Sequence, residues 1–357
     1  MAHHLAVFLF ALTFFGLALV AAQGVALRRH VAGATPPPTR RPPISILKPL
    51  CGVDDGLWEN LALFAALEYP DYEVVLGVKS ARDPAWDLAR AAVRRWPRRF
   101  RVVVQRGEPG LNPKVNQLLT LAREARHDLL VVSDSNVRVA PGYLAEIAGL
   151  LEDEGVGLVT HPVVGEGAVR LGSLFDHLHL AGAVAPGVVA AKRLGKRVAL
   201  APSAVRNVSE RQSVSAFTAR YRRWAVLQRQ LVGPGLYAAQ ALLNPVLLAA
   251  AALACERSAL AAAGFAGTCV AKSAVDGAAA RALRPAGFAP WQLALVPLKD
   301  LLFGGAWAYG LFHREVDWRG TKLLVGPGSR VLAPIAAAAS RGAHGEATGA
   351  PTPSFTI

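Results

Sequence analysis

Cysteine is scarce, with only Cys51, Cys255 and Cys269 in 357 residues. An odd, scattered set of three argues against a disulfide framework and against a cysteine-based metal site. Charge is also low, at 18% of residues, and acid is the scarcer sign: 25 Asp and Glu stand against 39 Lys and Arg, a formal net charge of +14. Nucleic-acid modules are missing too. There is no zinc-finger spacing, no RNA-recognition aromatic motif and no isolated basic helix beyond the one described below, so no nucleic-acid partner is expected. Apolar residues take the place of charge. The chain is 53% hydrophobic with a mean hydropathy of +0.31, too apolar for an ordinary soluble protein and suggestive of membrane segments. A basic, apolar chain suits an anionic membrane surface and phosphate-bearing substrates.

The first long apolar run covers residues 5–27, broken only by Thr13 and Gln23. A span of about 20 residues crosses a bilayer. Arg28, Arg29, His30, Arg40 and Arg41 follow, which favours a cytoplasmic location for what comes next. The competing reading is a cleaved signal peptide. Against it stand the length of the run and the lack of Lys or Arg before it. Residues 35–43, with Pro36-Pro37-Pro38 and Pro42-Pro43, read as a stiff spacer lifting the next domain off the membrane.

Short apolar strands then alternate with amphipathic stretches. Strands are expected at 44–47, 73–78, 101–104, 129–132 and 156–159. Helices are expected at 57–67, 85–96 and 141–151, the first capped by Asp54 or Asp55, and a loop at 110–116 feeds a further helix running through about 126. This βαβα order predicts a mostly parallel sheet with helices on both faces. The pivotal stretch is Asp128-Leu129-Leu130-Val131-Val132-Ser133-Asp134-Ser135-Asn136. Four apolar residues between polar ones suit a strand buried on both faces. A carboxylate just beyond such a strand lies at the carboxyl edge of the sheet, where open α/β folds bind ligands, and can hold a divalent cation. An Asx turn closing the strand explains the same residues.

Residues 171–189 read as a helix. Its His177 and His179 are spaced i, i+2 and so lie on different faces, which disfavours a metal pair. A further strand is expected at 196–200. Residues 214–230 form a basic helix in which Arg220, Arg222, Arg223 and Arg229 alternate with Phe217, Tyr221 and Trp224. It fits a headgroup-layer helix, a diphosphate clamp, or a solvated basic face with a buried Trp. Residues 236–254 and 293–312 are plausible spans, and 259–270 is a shorter membrane-associated piece. The expected organisation is an anchor at 1–34, a catalytic α/β domain at 35–230, C-terminal membrane helices at 231–335 and a disordered tail at 336–357.

Five ordered pieces carry a resemblance: Lys48-Pro49-Leu50-x-Gly52-Val53-Asp54, Asp83-Pro84, Asn112-Pro113-Lys114-Val115-Asn116, Asp134-Ser135-Asn136-Val137-Arg138-Val139 and Arg220-x-x-Arg223-Trp224. With the leading anchor, the set resembles ceramide glucosyltransferases and their bacterial relatives, including hopanoid-associated glycosyltransferases. The resemblance implies a Rossmann-like nucleotide-sugar domain of the GT-A type in the cytosol. It implies a multi-pass protein of the inner or plasma membrane that moves a sugar from a UDP-sugar to a membrane-lipid hydroxyl, with inversion. By family position, Asp83 contacts the nucleotide and Asp134 binds Mg²⁺ or Mn²⁺, with Asn136 in place of a second acid. Asn112 and Lys114 line the donor site. Arg220, Arg223 and Trp224 hold the diphosphate or the acceptor.

One departure matters. The family places a third acidic motif, Glu-Asp-Tyr or similar, between the sheet core and the Arg/Trp helix, and its aspartate is the expected general base. Between 156 and 220 the only acids are Glu166, Asp176 and Glu210, and none matches. The chain reads as shortened by an internal deletion near 194–195. The catalytic residue is therefore unassigned. Two further readings stay open: a relative that binds nucleotide-sugar or lipid without transfer, and a membrane transporter or scaffold, which the βαβα region disfavours.

Overall fold

The computed structural model describes residues 1–180, 197–318 and 321–334. The expected deletion point and the tail from 336 lie outside these residues. Two compact units divide the chain, and each is taken by itself.

The α/β unit comprises Arg28–Arg211 with Ala282–Arg284. Its centre is a four-stranded, wholly parallel sheet in the order β3-β2-β1-β4. The strands are β1 (Ile44–Pro49), β2 (Tyr72–Val78), β3 (Phe100–Val104) and β4 (Leu129–Val132). Alternation along each strand sends successive side chains to opposite faces. Ile44, Ile46, Val74 and Leu76 meet Leu57, Leu61 and Phe64 of helix α2 (Leu57–Ala65), Ala89 of α3 (Trp86–Arg95) and Leu144 and Ile147 of α5 (Tyr143–Leu151). On the other face, Leu47 and Val75 meet Leu121 of α4 (Pro113–Glu124).

β4 departs from its expected burial. Leu130 is 41% and Val132 53% exposed. Among the described residues β4 pairs only with β1, and α4 lies over β1, β2 and β3. The two side chains therefore extend beyond their cover. Five short strands complete the unit: β6 (Val156–Thr160) and β8 (Arg197–Leu200) form a parallel pair, while β5 (Val137–Arg138), β9 (Val205–Val208) and β7 (Val163–Glu166) form a mixed sheet. Helix α6 (Leu171–Leu180) follows β7, and the remainder of the expected helix to 189 lies outside the described residues.

The proline spacer is not a free stand-off. Glu152 Oε1 accepts from Thr39 N (2.6 Å), Thr39 Oγ1 (2.9 Å) and Arg40 N (2.8 Å). Pro42 O accepts from Tyr69 (2.8 Å). The spacer is thus strapped to α5, because its prolines leave carbonyls and few amides free and α5 supplies a carboxylate for those amides that remain.

The helical unit holds residues 1–27, 212–281 and those from 285 onward. Helix α1 (Ala2–Val31) is long and apolar enough to cross a membrane, and Phe8, Phe14 and Phe15 stand out from it. The basic helix is α7 (Val214–Val232). Its buried side, Phe217, Tyr221, Ala225 and Val226, packs on α12 (Val296–Phe312). It therefore packs with the C-terminal helices, and the first stretch of the α/β unit runs to Arg211. The expected span at 236–254 is broken: α8 (Pro234–Ala239) with its 3-10 extension to Leu243 meets α9 (Pro245–Cys255) at 85°. Asn244, which caps α9 ahead of Pro245, occupies the break. The expected short piece at 259–270 is a 25-residue helix, α10 (Ala259–Leu283). After α11 (Pro290–Leu293) and α12, a three-stranded antiparallel sheet that the sequence did not announce runs through β10 (Glu315–Trp318), β11 (Thr321–Gly326) and β12 (Arg330–Pro334).

Candidate nucleotide-sugar site

The site grows from the end of β4. Ser133 N continues the ladder by donating to Leu47 O (3.0 Å). The chain then turns through Asp134, whose carbonyl accepts from Val137 N (3.3 Å). Neighbouring side chains hold this turn. Lys48 Nζ, fully buried beneath it, donates to Asp134 O (2.6 Å) and Ser133 Oγ (3.1 Å) and lies 3.9 Å from the centre of the Phe64 ring. Asn60 Nδ2 donates to Ser135 O (3.1 Å), and Ser135 Oγ donates to Asp54. Asp54 is thus a brace for the turn. Asp55 Oδ2 accepts from Glu210 N (3.1 Å) and Arg211 N (3.3 Å). Neither aspartate caps α2, which starts at Gly56 with a positive φ of 63° and no side-chain cap.

Lys48 gives the turn a polar foundation at an electrostatic cost. Burial pushes its ammonium down from 10.5 to about 7, against the opposing pull of Asp134 and Asp54. A buried lysine loses hydration that two oxygen acceptors and an aromatic face replace only in part.

Facing Asp134 is the start of α4. Asn112 is its N-cap, with Oδ1 accepting from Lys114 N (3.0 Å) and Val115 N (3.4 Å), and Pro113 occupies the first helical position. Asn116 closes the preceding loop by accepting from Gly110 N (2.9 Å) and donating to Gly110 O (2.8 Å). From this fixed base Lys114 Nζ reaches Asp134 Oδ1 at 2.5 Å, with the two side chains 41% and 53% exposed. The N-terminus of α4 and the lysine together present positive charge to one side of the turn, a setting for anionic groups. Asn112 is 8% exposed and its oxygen is committed to the cap. It shapes this surface rather than offering its side chain to a ligand.

Asp83 closes the other side of the β1 loop. Its Oδ1 accepts from Gly52 N (2.9 Å) and Ala85 N (2.9 Å), so it joins the turn after β1 to the start of α3. Gly52 has φ +72°, the left-handed geometry that lets its amide face Asp83 without a Cβ penalty. Gln117 Nε2 donates to Leu50 O (3.0 Å) and fixes the same loop from α4. Arg220, Arg223 and Trp224 lie on α7 in the other unit. Arg223 donates to Asp317 O (3.3 Å), and Trp224 is 45% exposed rather than buried.

The donor set constrains any cation. Among the described residues no group of three or more His, Cys, Asp or Glu is placed to hold a metal. Asn136 stands where a second acid would be, and its Nδ2 donates to Val208 O (3.2 Å). One exposed carboxylate fits a cation that a diphosphate brings and shares, the usual arrangement for Mg²⁺, and not a resident ion caged by protein. Among the described residues no acid takes the place of the missing base motif. Glu166 pairs with Arg138 (3.0 Å) and Arg206 (3.3 Å). Asp176 is fully buried in α6. Glu210 folds back on Gly167, and its carbonyl accepts from Val169 N and Arg170 N.

Sequence reasoning named Asp134, Lys114 and Asp83 but did not announce the bracing of the turn by Lys48, Asn60 and Asp54. The signal available for Lys48 was a lone charge near the end of a strand of mostly apolar residues.

Comparison with known proteins agrees with the motifs. Ceramide glucosyltransferase 1 of Caenorhabditis elegans is 33% identical over 114 residues, 32% of this chain and 24% of that protein. Ceramide glucosyltransferase of Komagataella phaffii is 31% identical over 118 residues, 31% of this chain and 23% of that protein. The matched region spans about a quarter of the length of these curated relatives. Among solved structures, a mannosyltransferase from Pyrobaculum calidifontis in complex with GDP-Man and Mn²⁺ aligns at 18% identity and TM-score 0.47, covering 87% of this chain and 99% of that one. The sequence profile of glycosyl transferase family 21 matches in two pieces, residues 8–200 and 192–331. The two pieces together cover nearly the whole chain, and the protein belongs to glycosyl transferase family 21.

Proposed function

We propose that this chain is a membrane-bound transferase that moves a sugar, with inversion, from a UDP-sugar to the hydroxyl of a membrane lipid of the ceramide or hopanoid kind. The observation that carries the reading is the pairing of an exposed Asp134, braced from below, with Lys114 at the start of α4, in a chain of this family. The α/β unit is taken as a GT-A type donor domain, and α1 as the anchor that keeps it at the cytoplasmic face. The exposed Leu236, Leu260, Val270, Trp291 and Phe312 of the helical unit suit contact with lipid.

In this reading Asp134 holds a divalent cation, which when bound neutralises charge on the leaving diphosphate. The protein's own groups do the rest. Lys114 meets phosphate oxygens as a charge-assisted donor, with the positive end of the α4 dipole beside it. Asp83 fixes the β1 loop against which the nucleotide rests. Arg220 and Arg223 are assigned to the diphosphate or the acceptor head, and Trp224 to the acceptor.

A second reading rests on the missing acid: the chain binds nucleotide-sugar without transferring it, because a lipid hydroxyl needs a base. One experiment separates the two. Purified protein in detergent is given labelled UDP-glucose or UDP-N-acetylglucosamine, Mg²⁺ or Mn²⁺, and ceramide, hopanoid and diacylglycerol acceptors. A labelled lipid establishes transfer. UDP binding that Asp134→Asn abolishes, without product, establishes the binding-only protein. Absence of UDP binding refutes both.

A further inference from the structure

We propose that Lys114 gates the cation, holding Asp134 closed to free metal and releasing it only when a diphosphate arrives. The inference rests on the nucleotide-sugar reading of the site and concerns the order in which that site fills.

The geometry is a competition for one oxygen. Lys114 Nζ lies 2.5 Å from Asp134 Oδ1, and a divalent cation bound to that carboxylate would stand beside the ammonium. Two positive groups on one carboxylate repel each other, so each weakens the other's hold on Asp134. The backbones on both sides are fixed, so adjustment falls to the side chains. On one side Lys48 grips Asp134 O, and Asn60 and Asp54 grip Ser135. On the other the Asn112 cap and the paired Asn116–Gly110 bonds set the start of α4. Both side chains are partly exposed, so the lysine can leave without dragging the fold with it.

A diphosphate supplies the reason to leave. It offers the ammonium new oxygens, and α4 attracts the same anion. Once Lys114 turns to phosphate, Asp134 is free for the cation, and the diphosphate supplies the remaining oxygens that the single protein carboxylate lacks. Free cation meets the opposite situation, a lone carboxylate already neutralised. Cation and nucleotide therefore bind with positive coupling, and by linkage each raises the affinity of the other by the same factor. The coupling disfavours a cation that arrives without the nucleotide.

The test is Mn²⁺ binding, read from the spectrum of the free ion, on full-length protein in detergent with and without UDP. Wild type is expected to bind Mn²⁺ tightly only with UDP. Lys114→Met removes the competitor, so Mn²⁺ affinity without UDP rises by about three- to fivefold, the scale of an exposed ion pair. In the same variant UDP affinity falls with and without Mn²⁺ alike, so that loss cancels from the coupling, and the ratio of Mn²⁺ affinities with and without UDP shrinks by the same three- to fivefold. Lys114→Arg keeps the charge and is expected to keep the coupling. If Lys114→Met binds Mn²⁺ without UDP no better than wild type, while UDP and Mn²⁺ still bind together through Asp134, the gate is overturned and the donor site stands. If Asp134→Asn leaves Mn²⁺ binding with UDP unchanged, both fall.

Discussion

Replacing Lys48 by methionine isolates the cost of the amine that supports the Asp134 turn. The native amine is fully buried, with its pKa pushed down by burial from 10.5 to about 7. The unfolded chain keeps the ordinary value. Below about pH 7 both states are protonated, so the penalty for charge in the fold is constant and complete. As pH rises above 7 the folded lysine loses its proton first, the unfolded state then binds more protons, and stability increases until about pH 10.5. Each pH unit in that window is worth at most about 1.4 kcal/mol. Between about pH 7 and about pH 9 the gain sums to about 2 kcal/mol, because the folded group is already half deprotonated at the start. The methionine side chain of Lys48→Met fills similar space over Phe64 and cannot titrate. The substitution withdraws a donor from Asp134 O, which keeps Val137 N (3.3 Å), and that loss does not change with pH. The assay is thermal unfolding in detergent with a chelator present, at both pH values, for wild type and Lys48→Met. The wild-type midpoint should climb about 4–8 °C more than the variant's over this range. Parallel pH dependence in the two proteins would show that the buried amine does not titrate where its surroundings place it.

Three further outcomes are expected. Glu73 is 4% exposed and accepts from Ser45 Oγ, Arg101 Nε and Arg126 N, each at 2.7 Å. Burial alone would raise its pKa, but these donors outweigh it and hold it below the usual value. Its stabilisation is therefore present at neutral pH and lost as pH falls through the lowered value. Glu73→Gln should cost about 2–4 kcal/mol and flatten the acid limb of a stability–pH curve. Asp300 joins Lys299 (2.7 Å) and Lys272 (3.3 Å) between α10 and α12, with the partly buried Asp276 completing a foursome. Asp300→Asn leaves two lysines facing one acid and should lower stability in a denaturant titration by about 3–5 kcal/mol, with Lys299→Met in the same chain restoring part of it. A Cβ at Gly16 would collide with the Leu242 carbonyl oxygen, whereas one at Gly267 meets nothing within 4 Å. Gly16→Ala should therefore lower thermal stability while Gly267→Ala raises it by up to about 1 kcal/mol.

The parallel core was readable because its strands are apolar runs spaced by amphipathic helices. Asp134 was readable because its strand ends abruptly in polar residues. What escaped depends on distant partners. β5, β7 and β9 are two to four residues long, and they become strands only through pairing across as many as 70 residues, such as Val137 with Asn207. β4 was expected to be buried on both sides because four apolar residues do not state whether a neighbouring element exists to cover them. The role of Asn112 split in the same way: the motif placed it at the donor loop, and the structure gives its oxygen to the helix start. The charges of α10 and α12 sit inside largely apolar stretches of sequence. They are partners, which only the packing of two helices separated in sequence could reveal.

The position of β4 at the rim of its sheet has a dynamic consequence. A strand hydrogen-bonded on one side opens at a lower free energy than its central neighbours, and the Asp134 turn is its direct continuation. β1 and β2 are buried along their whole lengths and should exchange their amide hydrogens only on global unfolding. The amides of β4 should exchange earlier, through fraying that carries Asp134 away from Lys48 and Lys114. Mild denaturant or heat would then erase nucleotide binding before the sheet melts, and any ligand spanning Asp134 and α4 would slow exchange in β4 first.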